Sequence, residues 1–302
     1  MKKLVLGSLN IDKTYSVASL VKPKETIAAQ RYESFCGGKG FNQAVALARA
    51  GSEVFFAGVV GNDGEAFMHA LAADGIRTDY IRRSNNPNGH AVIQVDSEGQ
   101  NSIIIVSGSN AEVTETYIDE VISNFTVGDL IILQNEISCV GYVINEANKK
   151  GLIIAFNPSP FSDAVKTYDM TKVDILLVNE IEGAAICGAE TVDEILNALH
   201  EMYPNLSVLL TKGADGSAYI DAKGEKDYCG AIVCEAVDTT AAGDTFTGYF
   251  LHELFNGEKP VDAMRVASIA SGISVTRKGA SPSIPFSNEV LIYAEKHPAK
   301  HN

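Results

Sequence analysis

Long apolar runs are missing from this chain of 302 residues. Nothing in it approaches the roughly 18 consecutive apolar residues that a membrane-crossing helix needs, so no membrane partner is expected. Positive charge is scarce as well. Lys and Arg number 24 against 38 Asp and Glu, a net charge of −14. Nucleic-acid binding needs clustered Lys and Arg on phosphates, so nucleic acid is not expected as a partner. A local electropositive pocket for a phosphorylated small molecule is still open. Cysteine is sparse and unpatterned. Cys36, Cys139, Cys187, Cys229 and Cys234 make an odd set of five. With no C-x-x-C pair and no nearby His cluster, they read as reduced thiols in a cytoplasmic protein, not as disulfides or a zinc site. Lys2 and Lys3 precede an apolar run that breaks at Gly7 and Asn10. That run is too short for a signal-peptide core and reads as the first strand. Internal repeats, low-complexity tracts and linkers are lacking. So are G-x-G-x-x-G after the first strand and G-x-x-x-x-G-K-[ST] anywhere, which disfavours a dinucleotide-binding protein and a P-loop.

What is present is ordinary for a globular protein: 46% hydrophobic and 21% charged residues. A chain this long buries a large core. Buried-strand candidates are residues 4–9, 54–60, 130–133, 152–156, 175–178 and 208–211. Between them lie helical patterns at 65–74, 114–123, 139–149 and 192–203. Alternating strands and helices predict a mostly parallel sheet covered on both faces, a three-layer α/β/α fold. Ligands then sit at the carboxyl ends of the strands, where Asn10, Asn157, Asn179 and Thr211 are expected. Residues 14–34 and 90–106 break the alternation. Within the second, 90–95 and 102–106 flank the turn Asp96-Ser97-Glu98-Gly99. Both segments are assigned to a small β-lid, at about residues 13–36 and 88–107, within one domain spanning 1–302. Strands at 211–220 and 226–234 form a late antiparallel addition, and residues 297–301 read as a solvated tail.

Residues 237–248 are the most informative stretch. Asp238, Thr239 and Thr240 are turn and N-cap types. Ala241, Ala242 and Gly243 leave backbone N–H groups bare at the start of a helix that continues through Phe246, Tyr249, Phe250, Leu251 and Leu254. Such a start attracts anions. Asp244 lies in its first turn. A carboxylate there can take a proton from a hydroxyl while the N–H groups steady a transferring phosphoryl group. It can also do no more than favour the helix dipole. A second stretch, Gly37-Gly38-Lys39-Gly40, precedes an Ala-rich helix ending at Gly51. It implies close backbone approach to a ligand, or only a turn of the chain.

These stretches occur in a fixed order. Gly7-Ser8-Leu9-Asn10-Ile11-Asp12 ends the first strand. Residues 37–44 follow, then Asn157-Pro158-Ser159-Pro160, Asn179-Glu180-Ile181-Glu182, Thr211-Lys212-Gly213-Ala214-Asp215-Gly216, residues 238–244 and Val275-Thr276-Arg277-Lys278-Gly279-Ala280. In this order and spacing, over residues 3–285, the chain resembles the ribokinase, or PfkB, family of sugar kinases. The resemblance implies a ribokinase-like fold with a lid over the sugar, paired with the lid of a second subunit in a homodimer. It implies an ATP-dependent kinase that phosphorylates the primary hydroxyl of D-ribose to D-ribose 5-phosphate. A related kinase for another pentose, deoxyribose, a hexose or a nucleoside is the alternative. A catalytically silent sugar-binding protein is disfavoured by the intact Asp244, Asn179 and Glu182.

The resemblance also implies roles. Asn10, Asp12, Gly38, Lys39, Asn42 and Glu136 face the sugar. Asp244 is the base, and Ala241, Ala242 and Gly243 hold the phosphoryl oxygens. Asn179 and Glu182 match an Asn-x-x-Glu that places Mg2+ and phosphate, largely through water. Thr211, Lys212, Gly213, Ala214, Asp215 and Gly216 match the nucleotide loop, with Ser268 near adenine where Asn is common. Asp238, Thr240, Ser274, Arg277, Gly279 and Ser283 match a K+ site, Arg277 through its carbonyl. Two departures stand out. Phe41 replaces the usual Ala, and either narrows the sugar pocket or packs behind it. Residues 21–26 lack the glycine common before Glu-Thr.

Overall fold

The protein is described by a computed structural model covering residues 1–297. Its strands are β1 (Lys3–Leu6), β2 (Asn10–Ser16), β3 (Arg31–Gly37), β4 (Val54–Val60), β5 (Arg77–Arg83), β6 (Gly89–Val95), β7 (Asn101–Val106), β8 (Leu130–Gln134), β9 (Ile153–Asn157), β10 (Ile175–Asn179), β11 (Ser207–Thr211), β12 (Ser217–Ile220) and β13 (Lys226–Cys229). Its helices are α1 (Lys39–Ala50), α2 (Glu65–Ala73), α3 (Glu115–Ser123), α4 (Val140–Lys150), α5 (Glu180–Cys187), α6 (Val192–Met202), α7 (Ala242–Phe255), α8 (Pro260–Val275) and α9 (Ser287–Lys296). The expected tail at 297–301 lies almost wholly outside the described residues.

Nine strands form one sheet in the order β13-β12-β11-β10-β9-β8-β1-β4-β5. Its pairs from β5 to β11 are parallel, and β12 and β13 add antiparallel. Alternation along the strands feeds two cores. Leu4, Leu6, Ile131 and Leu133 point into the layer that holds α3, α4 and α6. Val5, Leu130 and Ile132 point into the layer of α1, α7 and α8. The continuous apolar run in β8 is thus explained by cover on both faces. Four further strands make the expected lid, in the order β3-β2-β6-β7. Its central β2–β6 pair is parallel and its outer pairs are antiparallel.

The first strand is shorter than the sequence suggests. It ends at Leu6, and Asn10 and Asp12 lie in the lid strand β2. The break falls where Gly7 passes under Gly40. The Gly7 N–H still donates to the Ala57 carbonyl at 3.0 Å, and a Cβ on Gly7 would stand 2.7 Å from the Gly40 Cα, so only glycine fits where the two backbones cross. The late strands also differ from 211–220 and 226–234. Thr211 closes the parallel β11, Gly216 at φ +100° turns the chain back, and β13 ends at Cys229. Helix α7 begins at Ala242 with Ala241 as its N-cap, so Asp238, Thr239 and Thr240 are turn residues and not the cap.

Candidate active site

Ala241 carries φ 62°, a left-handed conformation that costs a residue with a side chain about 1–3 kcal/mol. The kink turns the chain so that α7 starts abruptly. Ala242 donates to the Thr239 carbonyl at 3.2 Å and Thr245 to the Ala241 carbonyl at 2.8 Å. Ala242 is therefore less free than the expected anion-binding trio requires, because its N–H is engaged inside the turn. One turn on, the Asp244 carboxylate is 7% exposed and held by two amides. Asn42 Nδ2 donates to Oδ2 at 3.0 Å and Gln43 Nε2 to Oδ1 at 3.0 Å. Both donors come from α1, whose start the glycine loop sets.

A second cluster gathers at the carboxyl ends of β1 and β8. Glu136 Oε2 accepts from the Ser8 hydroxyl and from the Lys39 backbone N–H at 2.8 Å, and Oε1 accepts from Asn10 Nδ2 at 3.3 Å. Asn10 Oδ1 accepts from Asn110 Nδ2 at 2.7 Å. Asp12 joins this cluster from the lid, beside Gly37. Burial first, then the charges of Glu136, Asp244 and Asp238, pushes its carboxyl up to about 7. Burial also raises Glu136, against the Ser8 hydrogen bond and Lys39. Burial opposes the Lys39 charge, but Asp244, Glu136 and Glu182 together outweigh it and hold the ammonium above its usual value. Lys39 is the cation that lets these carboxylates share one site. Of the residues expected to face sugar, Asn10, Asp12, Gly38, Lys39 and Glu136 do converge here. Asn42 donates to Asp244, and its Oδ1 is buried and unpaired. Phe41 packs behind the site. It is fully buried and meets Phe67 edge-on at 5.2 Å.

Two cavities meet at the start of α7. A polar one of about 200 Å³ is lined by Lys39, Asn157, Ser159, Asn179, Glu182 and Asp244 among others. An apolar one of about 420 Å³ is lined by Gly213, Ala214, Gly216, Ile232, Phe246 and Ser268 among others. Thr211, Thr239, Ala242 and Gly243 line both. Lys212 and Asp215 line neither, although the sequence placed them with the nucleotide loop. Asn179 and Glu182 cap α5 reciprocally: Asn179 Oδ1 accepts from the Glu182 N–H at 2.8 Å, and Glu182 Oε2 accepts from the Asn179 N–H at 3.1 Å. Glu182 is 7% exposed, so it is not an exposed helix residue. Its partly committed carboxylate suits a cation held through water. Among the described residues, no group of His, Cys, Asp or Glu side chains is arranged as a complete metal cage.

The loop before α7 is tied to the segment after α8. Val237 and Asp238 N–H donate to the Val275 carbonyl at 2.7 and 3.1 Å. Asp238 accepts from the Thr240 N–H and the Gly279 N–H, each at 2.9 Å. Burial raises the Asp238 carboxyl, but these donors and Lys278 outweigh it and hold it below the usual range. The hydroxyls of Ser274 and Ser283 are buried and donate to Ser271 and Ala280 carbonyls, leaving their oxygen lone pairs to accept. Arg277 pairs through its guanidinium with Glu289, and the one oxygen it could offer a cation is its backbone carbonyl. The donor set is oxygen-rich and fits a potassium-like cation.

Sequence reasoning missed Ser8, Gln43, Asn110 and Gln134. Ser8 and Gln43 sit inside stretches read for other reasons, Gln134 lies one residue past the strand expected at 130–133, and Asn110 has no local signal.

A first-turn carboxylate lining a polar cavity that adjoins an apolar one suits a phosphoryl-transfer enzyme acting on a small polar substrate. Residues 2–287 match the pfkB family carbohydrate kinase domain, and the chain belongs to that family. It is 36% identical over 301 residues to a ribokinase of Haemophilus influenzae, covering 96% of this chain and 97% of the relative. It is 32% identical to a deoxyribokinase of Salmonella typhi, with 95% and 97% covered. The structure of Arabidopsis thaliana ribokinase with ribose and ATP matches at a TM-score of 0.82 and 32% identity, covering 96% of this chain and 97% of that one.

Proposed function

We propose that this sugar kinase transfers the γ-phosphoryl group of ATP to the primary hydroxyl of D-ribose, giving D-ribose 5-phosphate and ADP. One observation carries the reading. Asp244 lines a polar cavity that opens, through Thr211, Thr239, Ala242 and Gly243, into an apolar cavity with room for a nucleobase. Asp244 accepts the hydroxyl proton as the sugar oxygen attacks the γ-phosphorus. The bond from that phosphorus to the β–γ bridging oxygen breaks, and ADP leaves. The Ala241 and Gly243 N–H groups, with the Lys39 ammonium, stabilise charge on the phosphoryl oxygens. Asp12, Asn10 and Glu136 accept from the sugar hydroxyls. Glu182 and Asn179 would hold Mg2+ through water, and the Asp238, Thr240, Ser274, Arg277, Gly279 and Ser283 cluster would hold K+. The cations would neutralise phosphate charge and steady the turn before α7.

The lid supports a homodimer. β7 is an edge strand, and Ile103, Ile104 and Ile105 on it are about half exposed or more. Such an edge is normally covered, and a second lid is the occupant proposed. Unpaired cysteines fit a reducing cytoplasm, and among the described residues no helix is long and apolar enough to cross a membrane.

The deoxyribokinase relative makes 2-deoxyribose the second reading. Buried groups that bond a hydroxyl reject analogues lacking it, because they are left unpaired. ADP release measured with ribose, 2-deoxyribose, fructose and adenosine tests both. Ribose is expected to give the highest kcat/KM. A better deoxyribose, hexose or nucleoside overturns ribose as the substrate, and no turnover with any of them overturns the kinase reading.

A further inference from the structure

Asp244 is oriented from a distance by a relay of side-chain amides. A carboxylate only accepts hydrogen bonds. Gln43 must therefore turn its NH2 group toward Asp244, and it does so at 3.0 Å, with Nε2 also 3.3 Å from Asn157 Oδ1. That choice sends Gln43 Oε1 the other way, where it accepts from Gln134 Nε2 at 2.7 Å. Gln134 must then present its own NH2, and its Oε1 is left buried with no partner. The space around this oxygen is closed by Gly7, where an added Cβ would stand 2.5 Å away. An orphaned buried carbonyl is rare and calls for a cause. Reversing Gln134 would satisfy nothing, because two carbonyl oxygens would then face each other. The orphan is the end of a directional chain that starts at the Asp244 carboxylate. Asn157 is fixed in turn by its Nδ2 donating to the Leu177 carbonyl at 2.7 Å.

We infer that Gln43 and Gln134 are positioning residues for phosphoryl transfer: Gln134 locks the Gln43 amide, and Gln43 locks Oδ1 of Asp244, which together with Asn42 on Oδ2 fixes the plane of the carboxylate toward the acceptor hydroxyl. The inference rests on the reading of Asp244 as the base. Gln43 and Gln134 are buried and line neither cavity, so they act through Asp244 and do not touch sugar or nucleotide. Other charged groups near Asp244 are Lys39 from α1, Asp12 from β2, Glu136 after β8 and, in the same cavity, Glu182 from α5. Among the described residues, none of them shares a side-chain hydrogen bond with Gln43 or Gln134.

The test is a double-mutant cycle with Gln43→Met and Gln134→Met, read as kcat, sugar KM and the pH profile of kcat. Gln43→Met is expected to lower kcat about tenfold to a hundredfold, as small misplacements of reacting groups do. Sugar KM should stay near wild type, and the acid limb of the kcat profile should move to higher pH. Gln134→Met should do the same more weakly, and the double variant should cost no more than Gln43→Met alone. Additive losses, or a wild-type kcat and pH profile in the folded single variants, overturn the relay. If Gln43→Met fails to fold, Gln43→Asn keeps an amide but withdraws it from Asp244, and the same outcomes apply. Asp244→Asn separates the two readings. An active Asp244→Asn overturns the base, whereas an inactive one beside unaffected Gln variants overturns the relay alone.

Discussion

Asn42 donates from Nδ2 to Asp244 Oδ2 at 3.0 Å, joining α1 to α7 across 202 residues of sequence. The bond brings the helix that follows the glycine loop against the helix whose first turn carries Asp244. Each helix start is incomplete alone. Together they leave one carboxylate buried at the wall of the polar cavity.

Asp244→Asn keeps the shape of that side chain and removes its capacity to take a proton. The variant is expected to fold and to bind sugar, with kcat lowered about 10²–10⁴-fold, as for other lost general bases. Steady-state kinetics at saturating ATP and sugar, with sugar binding by calorimetry, check it. Turnover close to wild type would remove Asp244 from the base role.

Asp12 gives a pH signature with a definite sign. Its carboxyl is pushed up to about 7 by burial and by Glu136, Asp244 and Asp238. The folded protein therefore holds a proton there that the unfolded chain has lost, so this group's contribution to stability declines as pH rises from about 4 through 7. Asp12→Asn is expected to raise the unfolding temperature above pH 7 and to leave it unchanged near pH 4. In the wild type, sugar KM should increase as pH falls below about 7, because a protonated Asp12 loses an acceptor. A sugar KM flat from pH 6 to 8 contradicts the assignment of Asp12 to the sugar.

Much of this was legible in the sequence, for physical reasons that can be named. Continuous apolar strands such as β8 and β10 declare themselves because both faces are covered. Helix α1 does so through its alanines and its left-handed Gly51 cap. β5 was missed because it is an outer strand rich in Arg and Asp, with little apolar alternation. α5 was missed because it is short and carries a glycine. In the site, the place of Asp244 in the first turn of a helix was readable from local pattern, whereas Glu182 entered through the family resemblance. The bond from Gln134 to Gln43 was not, since it spans 91 residues and its geometry exists only after the sheet has formed. Asn110, 100 residues from Asn10, was hidden for the same reason.

Phe41 tests the division between site and core. It is fully buried against Phe67 and lines neither cavity. Phe41→Ala is expected to cost about 3–5 kcal/mol of stability, the usual range for a large core aromatic, with sugar and ATP KM unchanged at a temperature where the variant is folded. Denaturant unfolding and steady-state kinetics read the two quantities separately. A selective change in sugar KM would show that Phe41 shapes the sugar pocket.

Asp238 links the proposed cation site to catalysis. Its two oxygens clamp the Thr240 N–H before α7 and the Gly279 N–H after α8. Ala241 follows Thr240 directly and carries the left-handed φ from which α7 starts. A cation among the Asp238, Ser274, Arg277, Gly279 and Ser283 oxygens would stiffen this turn without touching substrate. K+ is therefore expected to raise kcat at fixed Mg2+, and Na+ to do so poorly, since a smaller ion draws the same oxygens too far inward. Asp238→Ala should lower kcat and abolish the difference between K+ and Na+, while ribose KM stays near wild type. Rates are to be compared in potassium-free, sodium and potassium buffers of equal ionic strength. Equal rates in all three for the wild type would remove the cation site. A K+ response that survives in Asp238→Ala would place it elsewhere in the fold.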